Sequence, residues 1–207
     1  MALSKPSAER LSRLAHLLEQ RHDRHTPVSS TELERLTGWP SHTIRKDISA
    51  LSLPETVSTT AGYDSHLLAT AIRQNLGFGE ETQNCCIVGL GRLGSAFLEY
   101  TGFTDSPFTL CAGFDSNVNR IEILKASVPL FPTFKMKEII PRLAIRYAIL
   151  CVPPEQAQNT ALRLADCGVA GIVNFTPAIV RPIEGVEIEQ VSIVDVLGGL
   201  AARLAAT

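Results

Sequence analysis

The sequence contains no run approaching the ~18 consecutive apolar residues that a membrane-crossing helix needs. Its opening stretch, MALSKPSAERLSRLAHLLEQ, has no apolar core of the kind that marks a secretory signal. Cysteine is scarce: Cys85, Cys86, Cys111, Cys151 and Cys167 are five in number, and no two have CxxC spacing. An odd count without metal-ligand spacing argues against a disulfide framework and against a zinc site. In their apolar surroundings the thiols read as small buried hydrophobes of a reducing compartment, with a redox-reactive thiol as the alternative. No histidine follows Gly94, and Lys125, Lys135 and Lys137 lie away from the strand-end motifs described below, so the C-terminal half offers no obvious proton donor or base. An excess of either charge is also missing, with 19 Lys plus Arg against 21 Asp plus Glu. Together these absences predict a cytoplasmic protein with no membrane partner, no metal and no catalytic apparatus.

What is present is enough apolar material, 45% of 207 residues, for one large domain or two small ones. The two halves differ in rhythm. Residues 8–80 show helical spacing and short polar turns, residues 84–190 alternate β-rich runs with amphipathic stretches, and the change falls near Leu76–Gln83. In the first half Leu11, Leu14, Leu17 and Leu18 mark one helix. Ser29 or Ser30 can cap the next, Glu32 fits a capping box with Ser29, Leu33 and Leu36 supply the apolar face, and Gly38 ends it before Trp39-Pro40. A third helix is expected from about Ser41 to Leu51, with Ile44, Ile48 and Leu51 inward and Ser41, His42, Thr43, Arg45, Lys46 and Ser49 on other faces. Helix, glycine-containing turn, then a helix with a basic exposed start is the helix-turn-helix pattern. Such a second helix can enter the major groove, where arginine donates two hydrogen bonds to guanine and lysine or threonine holds phosphates. Those six residues are therefore the DNA-binding candidates, although a generic three-helix bundle with a charged face fits the same spacing. Residues 1–48 carry eight lysines and arginines against six acids, with His16, His22, His25 and His42 among them, a mild basic bias.

The second half carries a sharper signal. Cys85–Leu98 reads strand, glycine-rich turn, helix, and Gly89, Gly91 and Gly94 fit GxGxxG. The first glycine permits a tight turn, the second lets backbone approach a pyrophosphate, and the third lets helix pack close to strand. The helix start would offer unpaired N–H groups and a positive dipole end to that anion. A following strand, Phe108–Asp115, ends in an acid 21 residues after Gly94, where a carboxylate takes the adenosine ribose hydroxyls of NAD and repels a 2′-phosphate; Arg120 nearby leaves that choice open. Arg146–Val152 and Ala170–Asn174 read as further strands, and Pro154 and Glu155 open a helix with the apolar stripe Ala157, Ala161, Leu164 and Ala165. Ligands of such sheets bind beyond the carboxyl ends of the strands, so Cys151-Val152-Pro153 and Asn174-Phe175-Thr176-Pro177 are candidates to border a nicotinamide. The last segment, Ser192–Thr207, spaces Ile193, Leu197, Leu200 and Leu204 as a narrow apolar seam, suited to a partner's helix or to its own domain.

Ser29-Ser30-Thr31-Glu32-Leu33, Ile44-Arg45-Lys46-Asp47-Ile48-Ser49, Gly62-Tyr63, Gly89-Leu90-Gly91-Arg92-Leu93-Gly94, Phe114-Asp115, Val152-Pro153, Ala157-Gln158 and Gly171-Ile172-Val173-Asn174-Phe175-Thr176-Pro177 occur in that order. The set resembles the Rex family of redox-sensing transcriptional repressors over nearly the whole chain. The resemblance implies an α/β protein with an N-terminal winged helix-turn-helix DNA-binding domain (1–80), a C-terminal Rossmann-like dinucleotide-binding domain with a parallel sheet (84–190), and a dimerisation helix (191–207) exchanged within a homodimer. It implies a repressor of a double-stranded DNA operator that NADH releases and NAD⁺ permits. The cofactor-binding residues it implies are Gly89, Leu90, Gly91, Arg92, Leu93, Gly94, Tyr100, Asp115, Val152, Pro153, Asn174, Phe175, Thr176 and Pro177, with Tyr100 matching a tyrosine that the family uses near the nicotinamide. Two features depart from the pattern. The wing region, Ser52–Asp64, has no basic residue, and the family's Arg–Asp pair between first and final helices is replaced by His16 and Ser192, with Arg13 and Asp195 one turn away. Two other readings stay open: a Rossmann-domain protein that binds CoA, ATP or nothing and has lost the redox response, and an NAD-dependent oxidoreductase.

Overall fold

In the computed structural model, which describes residues 3–21, 26–78, 82–104 and 106–205, the leucine spacing of the first segment becomes helix α1 (Lys5–Glu19), with Leu11, Leu14, Ala15 and Leu18 buried. His22 and His25 of the basic bias, Gly79, Glu80 and Glu81 of the expected break, and Ala206 and Thr207 of the terminal segment lie outside the described residues. Strand β1 (Pro27–Val28) leads into α2 (Ser30–Thr37). Ser29 caps α2, its Oγ accepting from the Glu32 N–H at 3.1 Å, and Gly38 ends it in the left-handed conformation at φ 73°. The Glu32 carboxylate faces Arg21, whose Nη1 donates to it at 2.9 Å. Leu33 is fully buried, but Leu36 is 43% exposed, so the expected apolar face of α2 is too wide. A helix of 8 residues makes little more than two turns, and Leu33 is its buried residue.

Helix α3 (Ser41–Ser49) buries Ile44 and Ile48 and stops two residues short of Leu51, which remains buried as the chain turns away. Strands β2 (Ser58–Thr59) and β3 (Gly62–Asp64) form a hairpin, and β1 completes an antiparallel sheet in the order β1-β3-β2. Helix α4 (Ser65–Asn75), capped by Asp64, packs on α1. Two helices joined at Gly38 and followed by the hairpin make a winged helix-turn-helix.

One charged side chain sits in this core. Asp47, on the face of α3 that carries Ile44 and Ile48, is 6% exposed and accepts from Arg10 of α1 twice, Nε to Oδ2 at 2.7 Å and Nη2 to Oδ1 at 3.0 Å. The bond to Asp47 is the main reason the Arg10 guanidinium is held above its usual pKa. Arg10→Met leaves a buried carboxylate without either donor. Urea unfolding followed by the sole tryptophan, Trp39, is expected to show this unit destabilised by about 2 kcal/mol. Removing the exposed Glu138–Arg142 pair is expected to change stability by less than ~0.5 kcal/mol.

The chain divides into two compact units, Met1–Glu81 and Thr82–Thr207. The second comprises β4 (Gln83–Val88), α5 (Arg92–Phe97), β5 (Phe108–Asp115), α6 (Val118–Ile123), β6 (Leu130–Pro132), α7 (Met136–Arg142), β7 (Tyr147–Leu150), α8 (Ala157–Asp166), β8 (Gly171–Asn174), β9 (Glu187–Gln190) and α9 (Ile193–Ala205). All six strands are parallel, in the order β6-β5-β4-β7-β8-β9, the Rossmann arrangement, with the direction of winding reversing between β4 and β7. Val88, Phe114, Ala148, Leu150 and Ile172 of the strands are covered by Ile139, Ile140, Ala161 and Leu164 of the helices. β7 and β8 are shorter than their apolar runs, but the flanks still bond to neighbouring strands: the Arg146 N–H donates to the Asn84 carbonyl at 3.0 Å, the Cys151 N–H to the Val88 carbonyl at 2.8 Å and the Ala170 N–H to the Arg146 carbonyl at 2.8 Å. Pro154 opens a 3-10 turn ahead of α8, and Ala165 is only half-buried. Helix α9 buries nothing: Ile193, Val194, Leu197 and Leu204 are 72%, 76%, 57% and 69% exposed, which overturns the option that its seam packs on its own domain. No helix among the described residues is long and apolar enough to cross a membrane, and none of their His, Cys, Asp and Glu side chains cluster to hold a metal.

Candidate nucleotide cavity and DNA-reading helix

Where the winding reverses, the carboxyl ends of β4, β5 and β7 open a cavity of about 400 Å³ lined by Gly89, Gly91, Asp115, Ser116, Arg120, Thr133, Cys151, Val152, Pro153, Gln156, Thr160 and Arg163. The three glycines of the turn have three different surroundings. Gly89 sits at φ 93°, and a Cβ there would lie 2.7 Å from the Cys151 carbonyl, so the turn can approach the end of β7 only without a side chain. A Cβ on Gly94 would overlap the Gly89 carbonyl oxygen, which fixes how closely α5 packs on the turn. Gly91, at φ −66° and ψ −162°, faces open space, with no protein atom within 4 Å of the place a Cβ would take. That is the side from which an anion can reach the backbone N–H groups at the start of α5.

Asp115 is 3% exposed and already engaged. Its Oδ2 accepts from the Leu90 N–H at 2.7 Å and from Arg120 Nη1 at 2.9 Å, and its Oδ1 accepts from the Asn117 N–H at 2.7 Å. The carboxylate expected to await a ribose thus also ties the glycine turn to the end of β5. Oδ1 keeps a lone pair for one further donor. Arg120 covers the same carboxylate, and its side chain is 43% exposed at the cavity rim.

Cys151 lines the cavity, and burial pushes its thiol up to about 11. Burial raises Cys85 to about 12 and also raises Cys86, Cys111 and Cys167. Cys85 and Cys86 are buried as expected, whereas Cys111, Cys151 and Cys167 are half-buried: Cys111 is the residue that the β4–β5 register skips, ahead of the stretch of β5 that β6 covers, and Cys151 and Cys167 directly follow β7 and α8. Burial disfavours the thiolate, so at pH 7.5 iodoacetamide is expected to label Cys151 on the order of 100-fold more slowly than a free thiol. The rate is expected to rise about tenfold per pH unit up to pH ~10, read by mass spectrometry of the folded protein.

The remaining cofactor candidates lie around the cavity, not in its lining. Leu90 is buried, with its N–H held by Asp115; Arg92 and Leu93 are exposed on α5. Tyr100 is exposed, but Phe97 links it to the β8 loop: the Phe97 ring lies 6.1 Å from Tyr100 and 5.0 Å from Phe175. Asn174 and Thr176 are buried, and Pro177 is exposed beside them. Sequence reasoning missed Ser116, Thr133, Gln156, Thr160 and Arg163, which three separate segments bring to the cavity.

In the first unit, α3 presents His42, Arg45, Lys46 and Ser49 to solvent, with Ser41 and Thr43 half-buried at its start. The Ser41 N–H donates to Glu34 of α2 at 3.1 Å, and Ser49 Oγ donates to the Lys46 carbonyl at 2.9 Å. Asp47 fastens the opposite side of α3 to Arg10, an anchor that sequence reasoning also missed. The spacing 44, 47, 48, 51 puts Asp47 on the inward stripe, and that was the available signal.

Residues 80–178 match a family model described as "CoA binding domain", and residues 2–49 match one described as "Putative DNA-binding protein N-terminus". The redox-sensing transcriptional repressor Rex 1 of Enterococcus faecalis is 35% identical over 184 residues, 88% of this chain and 84% of that protein. The redox-sensing transcriptional repressor Rex of Bacillus licheniformis is 33% identical over 166 residues, 80% of this chain and 76% of that one. This chain belongs to the Rex family. Crystal structures of RSP, a Rex-family repressor, agree over 99% of this chain. The complex with NADH has a TM-score of 0.82 at 31% identity and is covered over 95% of its length; the complex with NAD⁺ and operator DNA has the same TM-score and identity over 93%.

Against the Rex pattern, the two departures take definite form. The wing hairpin is short, and its tip, Thr60-Ala61, is exposed between Ser58-Thr59 and Gly62 without a cation. His16 is exposed on α1, its Nε2 3.0 Å from the Gln20 amide nitrogen. Ser192 caps α9, its Oγ accepting from the Asp195 N–H at 3.1 Å.

Proposed function

We propose that this chain is a transcriptional repressor that holds NADH or NAD⁺ in the cavity above β4, β5 and β7, reads operator DNA through α3, and loses its hold on DNA when NADH is bound. The observation that carries this reading is the open side of Gly91, in a three-glycine turn at the switch point of a Rossmann sheet whose chain also bears a winged helix. RSP structures with NADH, and with NAD⁺ and operator DNA, support it through their likeness over the whole chain. The cofactor-binding set is Gly89, Gly91, Asp115, Val152 and Pro153 in the cavity, with Leu90, Arg92, Leu93, Gly94, Tyr100, Asn174, Phe175, Thr176 and Pro177 around it. Ser41, His42, Thr43, Arg45, Lys46 and Ser49 form the DNA-reading set.

The cavity suits retention of a ligand over turnover. Its one carboxylate is committed to the glycine turn, its thiol is raised by burial, and no histidine follows Gly94. We read the protein as a cytoplasmic homodimer of a winged-helix domain, a Rossmann domain and the joining helix α9; five free thiols suit a reducing compartment.

Calorimetric titration with NADH, NAD⁺, CoA and ATP tests the ligand. NADH is expected to bind, and binding of CoA alone would replace this reading. Arg45→Ala tests the DNA face. Specific binding is expected to weaken by about 1–3 kcal/mol, with little change on random duplex, if Arg45 reads a base; equal losses on both assign it to phosphate.

A further inference from the structure

Asn174, the last residue of β8, lies in register with Gln190, the last residue of β9, and their two carboxamides form the centre of a closed network. Asn174 is fully buried. Its Nδ2 donates to the Ala178 carbonyl at 2.8 Å and to Gln190 Oε1 at 2.7 Å, and its Oδ1 accepts from the Thr176 N–H at 3.0 Å. Gln190 Nε2 donates to the Thr176 carbonyl at 2.8 Å. The Val191 N–H donates to the Asn174 carbonyl at 2.9 Å. Two residues beyond Gln190, Ser192 caps α9.

Gln190 is exposed, yet both ends of its amide are bonded to the loop Asn174–Ala178. Fixing a glutamine side chain costs rotamer entropy, and water would satisfy an exposed amide without that cost. The loop it clamps carries Phe175, whose ring meets Phe97 of the helix that follows the glycine turn. On its other side Gln190 is joined by two peptide bonds to the cap of a helix with an exposed apolar face.

We infer that Gln190 is a positioning residue that binds the ligand-side loop 174–178 to the root of α9, so that a dinucleotide that moves the loop also moves the start of that helix. The inference rests on the dinucleotide reading above. No hydrogen bond to the ligand is assigned to Gln190. Its work is to make the loop and the β9–α9 junction shift together, which is what a coupling element between two sites requires.

The test uses the full chain in three forms, wild type, Gln190→Met and Gln190→Glu. Methionine keeps the length and loses both bonds; glutamate keeps the acceptor for Asn174 and loses the donor to Thr176. NADH affinity is measured by calorimetry, and amide hydrogen exchange of residues 191–197 is measured with and without NADH. In wild type, NADH is expected to change exchange in 191–197 by about fivefold or more. In Gln190→Met, NADH is expected to bind within about threefold of wild type while the segment no longer responds, and Gln190→Glu is expected to fall between. A wild-type-sized response in Gln190→Met overturns the inference, as does loss of NADH binding in that variant, which would confine Gln190 to the ligand loop. Failure of the wild type to bind NADH would bring down the functional reading itself. Binding without any response in 191–197 would bring down only this inference.

Discussion

Gly91→Val is expected to abolish NADH binding, weakening it at least 100-fold (about 2.7 kcal/mol), while the protein unfolds at the wild-type temperature. Gly91 has backbone angles any residue adopts and no protein neighbour within 4 Å of its Cβ position, so a branched side chain meets nothing but the space the pyrophosphate needs. Gly94→Val is the contrasting variant. Its side chain collides with the Gly89 carbonyl, backbone that cannot yield without unseating the turn, and a stability loss of about 3 kcal/mol or more is expected before any ligand is added. Calorimetry and thermal unfolding on the pair separate the two effects. Unchanged NADH affinity in Gly91→Val would place the phosphates elsewhere.

The second large effect belongs to α9. Leu197 and Leu200 are 57% and 44% exposed on a helix with no buried residue, and full burial of each leucine is worth about 1.5–3 kcal/mol. A partner copy that covers the seam would recover that in each subunit of a symmetric dimer. Leu197→Glu with Leu200→Glu is expected to convert a dimer to monomers at micromolar concentration in sedimentation. DNA with two half-sites is then expected to bind on the order of 100-fold more weakly, because the second half-site loses its effective concentration. A wild type that sediments as a monomer, or a double variant that stays dimeric, removes α9 from the interface.

The elements with local causes were legible in the sequence. Ser29 and Gly38 bound α2 because cap and left-handed stop are set within a few residues, and Gly89, Gly91 and Gly94 announced the turn because each glycine answers one steric demand. The misreadings and omissions come from contacts made at a distance. Leu36 obeys the helical spacing, yet α2 reaches the core only through Leu33. Asp47 is polar on an apolar stripe, and its reason, Arg10, lies 37 residues away. Asp115 stands where a ribose acceptor belongs, but its bonds to Leu90 and Arg120 depend on how β4 and β5 align. Thr133, Thr160 and Arg163 enter the cavity from β6 and α8 neighbourhoods whose spacing carries no motif. Gln190 acquires its partners only through the parallel register of β8 and β9.

The ion pair that links first and final helices in the Rex pattern has no counterpart in His16 and Ser192, so the coupling between ligand and DNA must be measured in this chain. Fluorescence anisotropy on a duplex selected from a random pool by the NAD⁺-loaded protein does so directly. Saturating NADH is expected to weaken binding at least tenfold relative to NAD⁺, about 1.4 kcal/mol of coupling. Equal affinity with either dinucleotide, both shown to be bound, would contradict a repressor that NADH releases.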